Sequence, residues 1–208
     1  MGIEITDEMR EYARTEGHRR ENYIRHHFGV DHLTPEETDQ IGFLGEFACC
    51  ELLGINWRNN IRDNYYSIDS GDITFRDPVS GNLIVVDVKT ETIPQPYFNE
   101  VINRRINDDG VYGRRLINQG QLNLLNHYNY VIFGGFVRDN YNRWYPFGYM
   151  ETDAIIRRYE ATIEAPFGGR YPSPAAPIRT SELGRISRLM ARLNACQTIQ
   201  NQRDDNNE

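Results

Sequence analysis

The hydrophobic positions of this chain run in two periods. Helical spacing dominates the first quarter and strand spacing the middle. Thr6 is a hydroxyl N-cap for a helix over residues 6–24 that carries Met9, Tyr12 and Ala13 among dense charge. A second helix is marked more sharply. Thr34-Pro35-Glu36-Glu37 supplies an N-cap, a proline at the first turn and a glutamate three residues on, and Gly54 supplies a stop. Inside it Gly42, Phe43, Cys49, Cys50 and Leu53 fall within two turns of Glu46 on one side. Glu46 therefore sits in an apolar stripe, either snorkelling out at its edge or aimed inward. Gly42 and Gly45 each cost a helix interior roughly 1 kcal/mol, which predicts a close approach to a neighbouring element.

Strand periodicity begins at residues 71–75, followed by Asp77-Pro78-Val79-Ser80-Gly81-Asn82 and the apolar, β-branched run 83–89. The turn formers between two short apolar segments predict an antiparallel hairpin. A symmetric register, with Arg76 facing Leu83, places Asp72 opposite Asp87, at a Cβ separation of roughly 5 Å. Lys89 then shares a face with Asp87. A slip of one residue abolishes the arrangement. A polar, proline-broken segment to about residue 113 reads as a loop, and 115–126 as a helix with Leu116, Leu122, Leu124 and Leu125. Residues 130–137 read as a buried strand, 138–142 as a turn and 143–150 as its partner strand. Residues 155–159 read as helical and 165–178 as a connector. A final helix opens at Thr180 or Ser181 and carries Ile186, Leu189, Met190 and Leu193. One domain over 1–200 is expected, with its core over 35–150, a helical appendage at 178–197 and a disordered tail at 201–208.

Composition narrows the function classes. No apolar run approaches the ~18 residues of a membrane helix, and no secretory leader opens the chain. Three cysteines, two of them adjacent, form no disulfide framework or metal knuckle, so a reducing, cytoplasmic compartment is expected. His26, His27 and His32 lack the partners of a metal site. A net charge of −7 argues against a surface that is basic throughout, while leaving room for a local groove. The informative count is lysine. Of 23 basic residues 22 are arginine, and the single lysine is Lys89.

Two carboxylates facing each other on an apolar hairpin repel, and they are stable only with a shared proton, a cation or both. Arg58, Arg62, Arg104, Arg105, Arg114 and Arg115 form the basic stretches around them and are candidate nucleic-acid contacts. Trp57, Tyr65 and Tyr66 among such arginines either stack on bases or cover a sheet. Gly45-Glu46 in a first helix, Gly71-Asp72 at a strand start and Asp87-Val88-Lys89 on the next strand together resemble the PD-(D/E)xK, or restriction-endonuclease-like, nuclease superfamily. The resemblance covers residues 35–150, with Gly71 where that family usually has proline. It implies an α/β fold with a central mixed sheet flanked by helices and extra terminal helices. It also implies a DNA endonuclease using Mg²⁺, with Mn²⁺ able to substitute. Asp72, Asp87, the Val88 carbonyl and Glu46 would be the metal ligands and Lys89 the catalytic cation. A restriction-type enzyme needs a homodimer to cut both strands, and the last helix offers either that contact or packing on its own core. The alternatives are a nucleic-acid-binding or assembly protein on an inactive core of this kind, a different metal-dependent hydrolase, and a structural Asp87–Lys89 ion pair.

Overall fold

The structure, a computed structural model, describes residues 2–21, 32–61 and 72–199. Arg62, Tyr65, Tyr66, His26, His27 and the tail 201–208 lie outside them. Its chain order is β1 (Ile3–Glu4), α1 (Asp7–Glu21), α2 (Pro35–Leu52), β2 (Ile73–Arg76), β3 (Leu83–Ile93), α3 (Gln95–Ile102), β4 (Arg114–Asn118), α4 (Gln119–Leu122), β5 (Tyr130–Val137), β6 (Asn140–Glu151), α5 (Thr152–Arg158), β7 (Thr162–Glu164), β8 (Arg170–Arg179), α6 (Ile186–Leu193) and β9 (Gln197–Ile199). Six strands form a mixed sheet in the order β1-β6-β5-β3-β2-β9. β3 and β5 run parallel and the other neighbours antiparallel. A smaller antiparallel sheet has the order β4-β8-β7.

Alternation along the strands assigns the two faces of the large sheet. Val86, Val88, Tyr130 and Ile132 join one apolar cluster with Phe43, Phe47 and Cys49 of α2, Met9 of α1 and Leu189 and Leu193 of α6. Val131, Phe133 and Ile93 join a second cluster with Phe98 of α3, Ile155 of α5, and Ile117, Ala176 and Ile178 of the small sheet. β5 is buried on both faces, which is why it reads as an unbroken apolar run. The last helix buries Leu189 and Leu193 in its own core.

The helix signals act locally as expected. Met9 N–H donates to Thr6 Oγ1 at 3.1 Å, and Thr34 and Glu37 form a reciprocal capping box at the start of α2. Gly45 allows α2 to approach β3, since a Cβ there would lie 1.7 Å from Thr90 Oγ1. Gly42 faces open space instead, so only one of the two glycines serves the approach.

Three segments differ from the sequence pattern. Residues 95–102, expected as loop, form α3, entered through Pro94 at the N-cap. Arg114–Asn118 is a strand, and the expected helix shrinks to one turn at Gln119–Leu122, because Ile117 packs between the sheets instead of on a helix face. Arg170–Arg179, expected as a connector, is β8 despite three prolines. Pro172 and Pro174 fall in the irregular stretch opposite β7, and Pro177 lies beyond the end of β7, so none breaks a ladder bond that a regular strand requires.

Candidate functional site

The β2–β3 hairpin has the expected register over residues 73–76, where Arg76 pairs with Leu83, Thr74 with Val85 and Ile73 with Val86, and the ladder ends one residue short of the expected Asp72–Asp87 pair. Its turn is held by Asp77, whose carboxylate accepts from Val79 N–H at 2.9 Å and from Ser80 Oγ at 2.8 Å. At the far end the ladder changes character. Asp72 N–H donates to the Val86 carbonyl at 3.1 Å, and the Asp72 carboxylate accepts from Val88 N–H at 2.6 Å. A side chain thus replaces the next backbone partner, and among the described residues no strand pairs with β3 beyond it on that edge. In an extended strand the N–H and C=O of one residue point the same way, so the Val88 carbonyl opens on the side where the Asp72 carboxylate lies.

Lys89 Nζ lies 2.8 Å from both Asp87 carboxylate oxygens. Asp87 is buried, and the Lys89 side chain keeps about one fifth of its surface exposed, at 20 %. Burial pulls the Lys89 ammonium toward deprotonation, but Asp87 and Asp72 outweigh it and hold its pKa above the ordinary 10.5. Lys89 is therefore a charged ammonium at neutral pH, paired with Asp87 and held in the field of Asp72.

Glu46 is placed differently. It is buried on α2, where Asn60 Nδ2 donates to its Oε2 at 3.1 Å. This helix covers the Val86 and Val88 face, whereas Asp87 and Lys89 alternate to the other. Glu46 and Asp72 both surround the Cys49 thiol, whose pKa is raised well above normal by burial first and then by the charges of Cys50, Asp72 and Glu46. Among the described residues no three His, Cys, Asp or Glu side chains gather closely enough to hold a metal ion. The expected three-acid cluster is therefore not found among the described residues: Asp72 is held by Val88 N–H, Asp87 by Lys89 and Glu46 by Asn60. The donor set nevertheless suits a hard cation. Mg²⁺ is commonly held by one or two carboxylates with water and substrate phosphate completing its shell, and the oxygens that could serve such a shell here are those of Asp72, Asp87 and the Val88 carbonyl.

The Asp87 and Lys89 row continues to Glu91, which sequence reasoning passed over although the two-residue spacing was visible. Arg115, fully buried, donates to the Glu91 carboxylate and to the Tyr112 carbonyl, and its guanidinium lies 5.4 Å from the Phe147 ring centroid. Burial raises the Glu91 pKa above the ordinary 4.5, against the pull of Arg115.

The candidate arginine contacts separate into two groups. Arg115 is internal, and Arg104 donates to the carbonyls of Leu183, Phe147 and Gly184, so both hold the fold together. Arg114 holds Asp109 and the Asp108 carbonyl. Arg58 pairs with Glu8 and covers Trp57 at 4.6 Å, and Trp57 itself is a core residue packed on Phe47. Arg105 is exposed. His32 Nε2 is hydrogen-bonded to Thr92 Oγ1 at 2.7 Å. Among the described residues no helix is long and apolar enough to cross a membrane. Comparison with protein-family models, with curated protein sequences and with solved structures returns no match.

Proposed function

We propose that this protein is a Mg²⁺-dependent nuclease that hydrolyses DNA phosphodiester bonds on a restriction-endonuclease-like core, most simply as an endonuclease. The observation that carries this reading is the Asp72 carboxylate seated on the Val88 N–H. It brings two acids to the only lysine of the chain at the open end of a hairpin. Asp72, Asp87 and the Val88 carbonyl would hold Mg²⁺, with Mn²⁺ as a substitute. The ion supplies a bound water of lowered pKa and a positive charge for the phosphorane-like transition state.

The chain's own residues have separable tasks. Lys89 stays protonated and gives Asp87 a fixed direction through the 2.8 Å contact. Its partly exposed ammonium is positioned to neutralise a non-bridging phosphate oxygen or to orient the attacking water. Val88 N–H fixes the Asp72 carboxylate, so part of its ordering is complete before any ligand binds. Asn60 fixes Glu46 on α2, and Glu46 would form part of the walls of the site.

The test is cleavage of plasmid, linear, single-stranded and branched DNA with and without EDTA, with the ends mapped. Asp87→Asn should lower Mg²⁺-dependent cleavage at least about a hundredfold, the scale of losing one electrostatic contact to the transition state. Cleavage that persists in EDTA refutes the metal mechanism. The closed Lys89–Asp87 contact also suits a purely structural ion pair. DNA binding without cleavage, joined to a collapse of folding in Asp87→Asn, would favour that second reading.

A further inference from the structure

At the end of the Asp87–Lys89–Glu91 row stands Tyr112, and its backbone is unusual. Tyr112 has φ +59°, a left-handed conformation that bulky residues rarely adopt and that concentrates at functional sites. Several contacts impose it. The Tyr112 carbonyl accepts from buried Arg115, which also grips Glu91. The next residue, Gly113, is wedged against the loop, since a Cβ there would lie 2.1 Å from the Asn107 carbonyl oxygen, and Thr180 Oγ1 donates to the Gly113 carbonyl at 2.7 Å. Residues 103–113, expected as a contacting loop, are therefore tightly built.

The outcome of that strain is the placement of a ring. Tyr112 packs on Tyr97 of α3 with centroids 5.1 Å apart and planes at 39°, and the Tyr97 residue is 37 % exposed. Arg138 Nη2 donates to the Tyr112 hydroxyl at 2.8 Å and fixes the far end of the phenol. Exposed Val111 stands beside the pair. Two aromatic rings, one held by a guanidinium and one open to solvent, are more than core packing requires. Glu91 is two residues of strand from Lys89, ~6.6 Å along the chain, and Arg115 joins its carboxylate to the Tyr112 carbonyl, so Tyr112 packs on the same side of the sheet as the ammonium.

We propose that Tyr97 and Tyr112 form a stacking platform for an unpaired base of a nucleic-acid strand whose backbone passes Lys89. This rests on the nuclease reading and narrows its substrate class to DNA with single-stranded character at or next to the cleaved phosphate. Bases inside a duplex have both faces covered by neighbours, whereas an unstacked base is free to lie on an aromatic ring. Glu91 and Arg115 are positioning residues in this scheme, because they set the Tyr112 carbonyl and do not touch the base.

The experiment uses the full chain in EDTA, so that binding is read without metal-dependent hydrolysis. The probes are a short oligothymidylate carrying one 2-aminopurine, the same strand with an abasic site in its place, and a duplex of equal length. The wild type should bind the single strand and quench the 2-aminopurine, and it should bind the abasic strand more weakly. Tyr97→Leu, which keeps apolar bulk without the ring, should lose the quench and roughly tenfold in single-strand affinity while duplex affinity stays unchanged. Tyr97→Phe should restore both, which separates loss of the ring from loss of folding. Undiminished quenching and affinity in Tyr97→Leu, or equal affinity for the abasic strand, overturns the platform. If the wild type cleaves duplex DNA in Mg²⁺ but never quenches the probe, the platform falls and the nuclease reading stands. If it binds none of the three probes and cleaves nothing, both fall.

Discussion

Replacing Lys89 by methionine keeps most of the apolar stem and deletes the charge between Asp72 and Asp87. In the native protein the ammonium lies 2.8 Å from Asp87 and raises its own pKa above 10.5 in doing so. Its contribution to stability is therefore fully present below that value and is lost only as the pH climbs past the raised pKa, so the wild type is flat in this respect across the neutral range. Without it, two carboxylates at an assumed separation of ~6 Å would repel by about 3 kcal/mol at an effective dielectric of about 20. Solvent at the half-buried Asp72 screens part of this, leaving about 2 kcal/mol. For a domain of this size that is a drop of roughly 4–8 °C in Tm near pH 8. The variant relieves the repulsion by taking up a proton, so the gap should close as the pH falls. Mg²⁺ at roughly ten times its Kd should return about 1.4 kcal/mol to the variant. Thermal melts of both proteins over this pH range, with and without Mg²⁺, are the assay. A gap of equal size at acid and alkaline pH, insensitive to Mg²⁺, refutes the claim that the two aspartates meet around Lys89.

Two further outcomes test the scaffold. Gly45→Ala should destabilise the protein by about 2–3 kcal/mol in urea titrations, because its methyl lands on Thr90, and Thr90→Gly should recover part of that loss in the double variant. Wild-type stability should decline as the pH rises above 4.5 through the raised Glu91 pKa, since a half-buried carboxyl charges there, and Glu91→Gln should remove that decline. An unchanged slope in the variant would place the titration elsewhere.

Much of the site was legible because its signals are local. The capping box of α2 is a contact between residues three apart, and the hairpin register follows from a six-residue turn that leaves one symmetric pairing. Lys89 stood out by count alone, as the single lysine among arginines. The segments that escaped depend on partners far along the chain. Arg114–Asn118 is a strand because β8 pairs with it, Arg114 with Arg179 and Asn118 with Ala175, and no local period encodes a neighbour some sixty residues away. The prolines of β8 are tolerated only because β7 is short and irregular beside them.

By itself, the sequence determined which residues share a strand face and which ends cap a helix, since both follow from fixed geometric periods. It therefore determined that Asp87 and Lys89 stand together and that Asp72 lies at the mouth of the opposing strand. The tertiary structure decided which side of the sheet each helix covers. It set α2 on the face opposite Lys89, so Glu46, buried in its apolar stripe, is held by Asn60 on the side of the sheet away from the ammonium. It also turned Arg115 from an expected surface contact into a buried clamp between Glu91 and Tyr112. Burial is a property of the whole packed chain, and a charge in a linear sequence carries no mark of the surface it will lose.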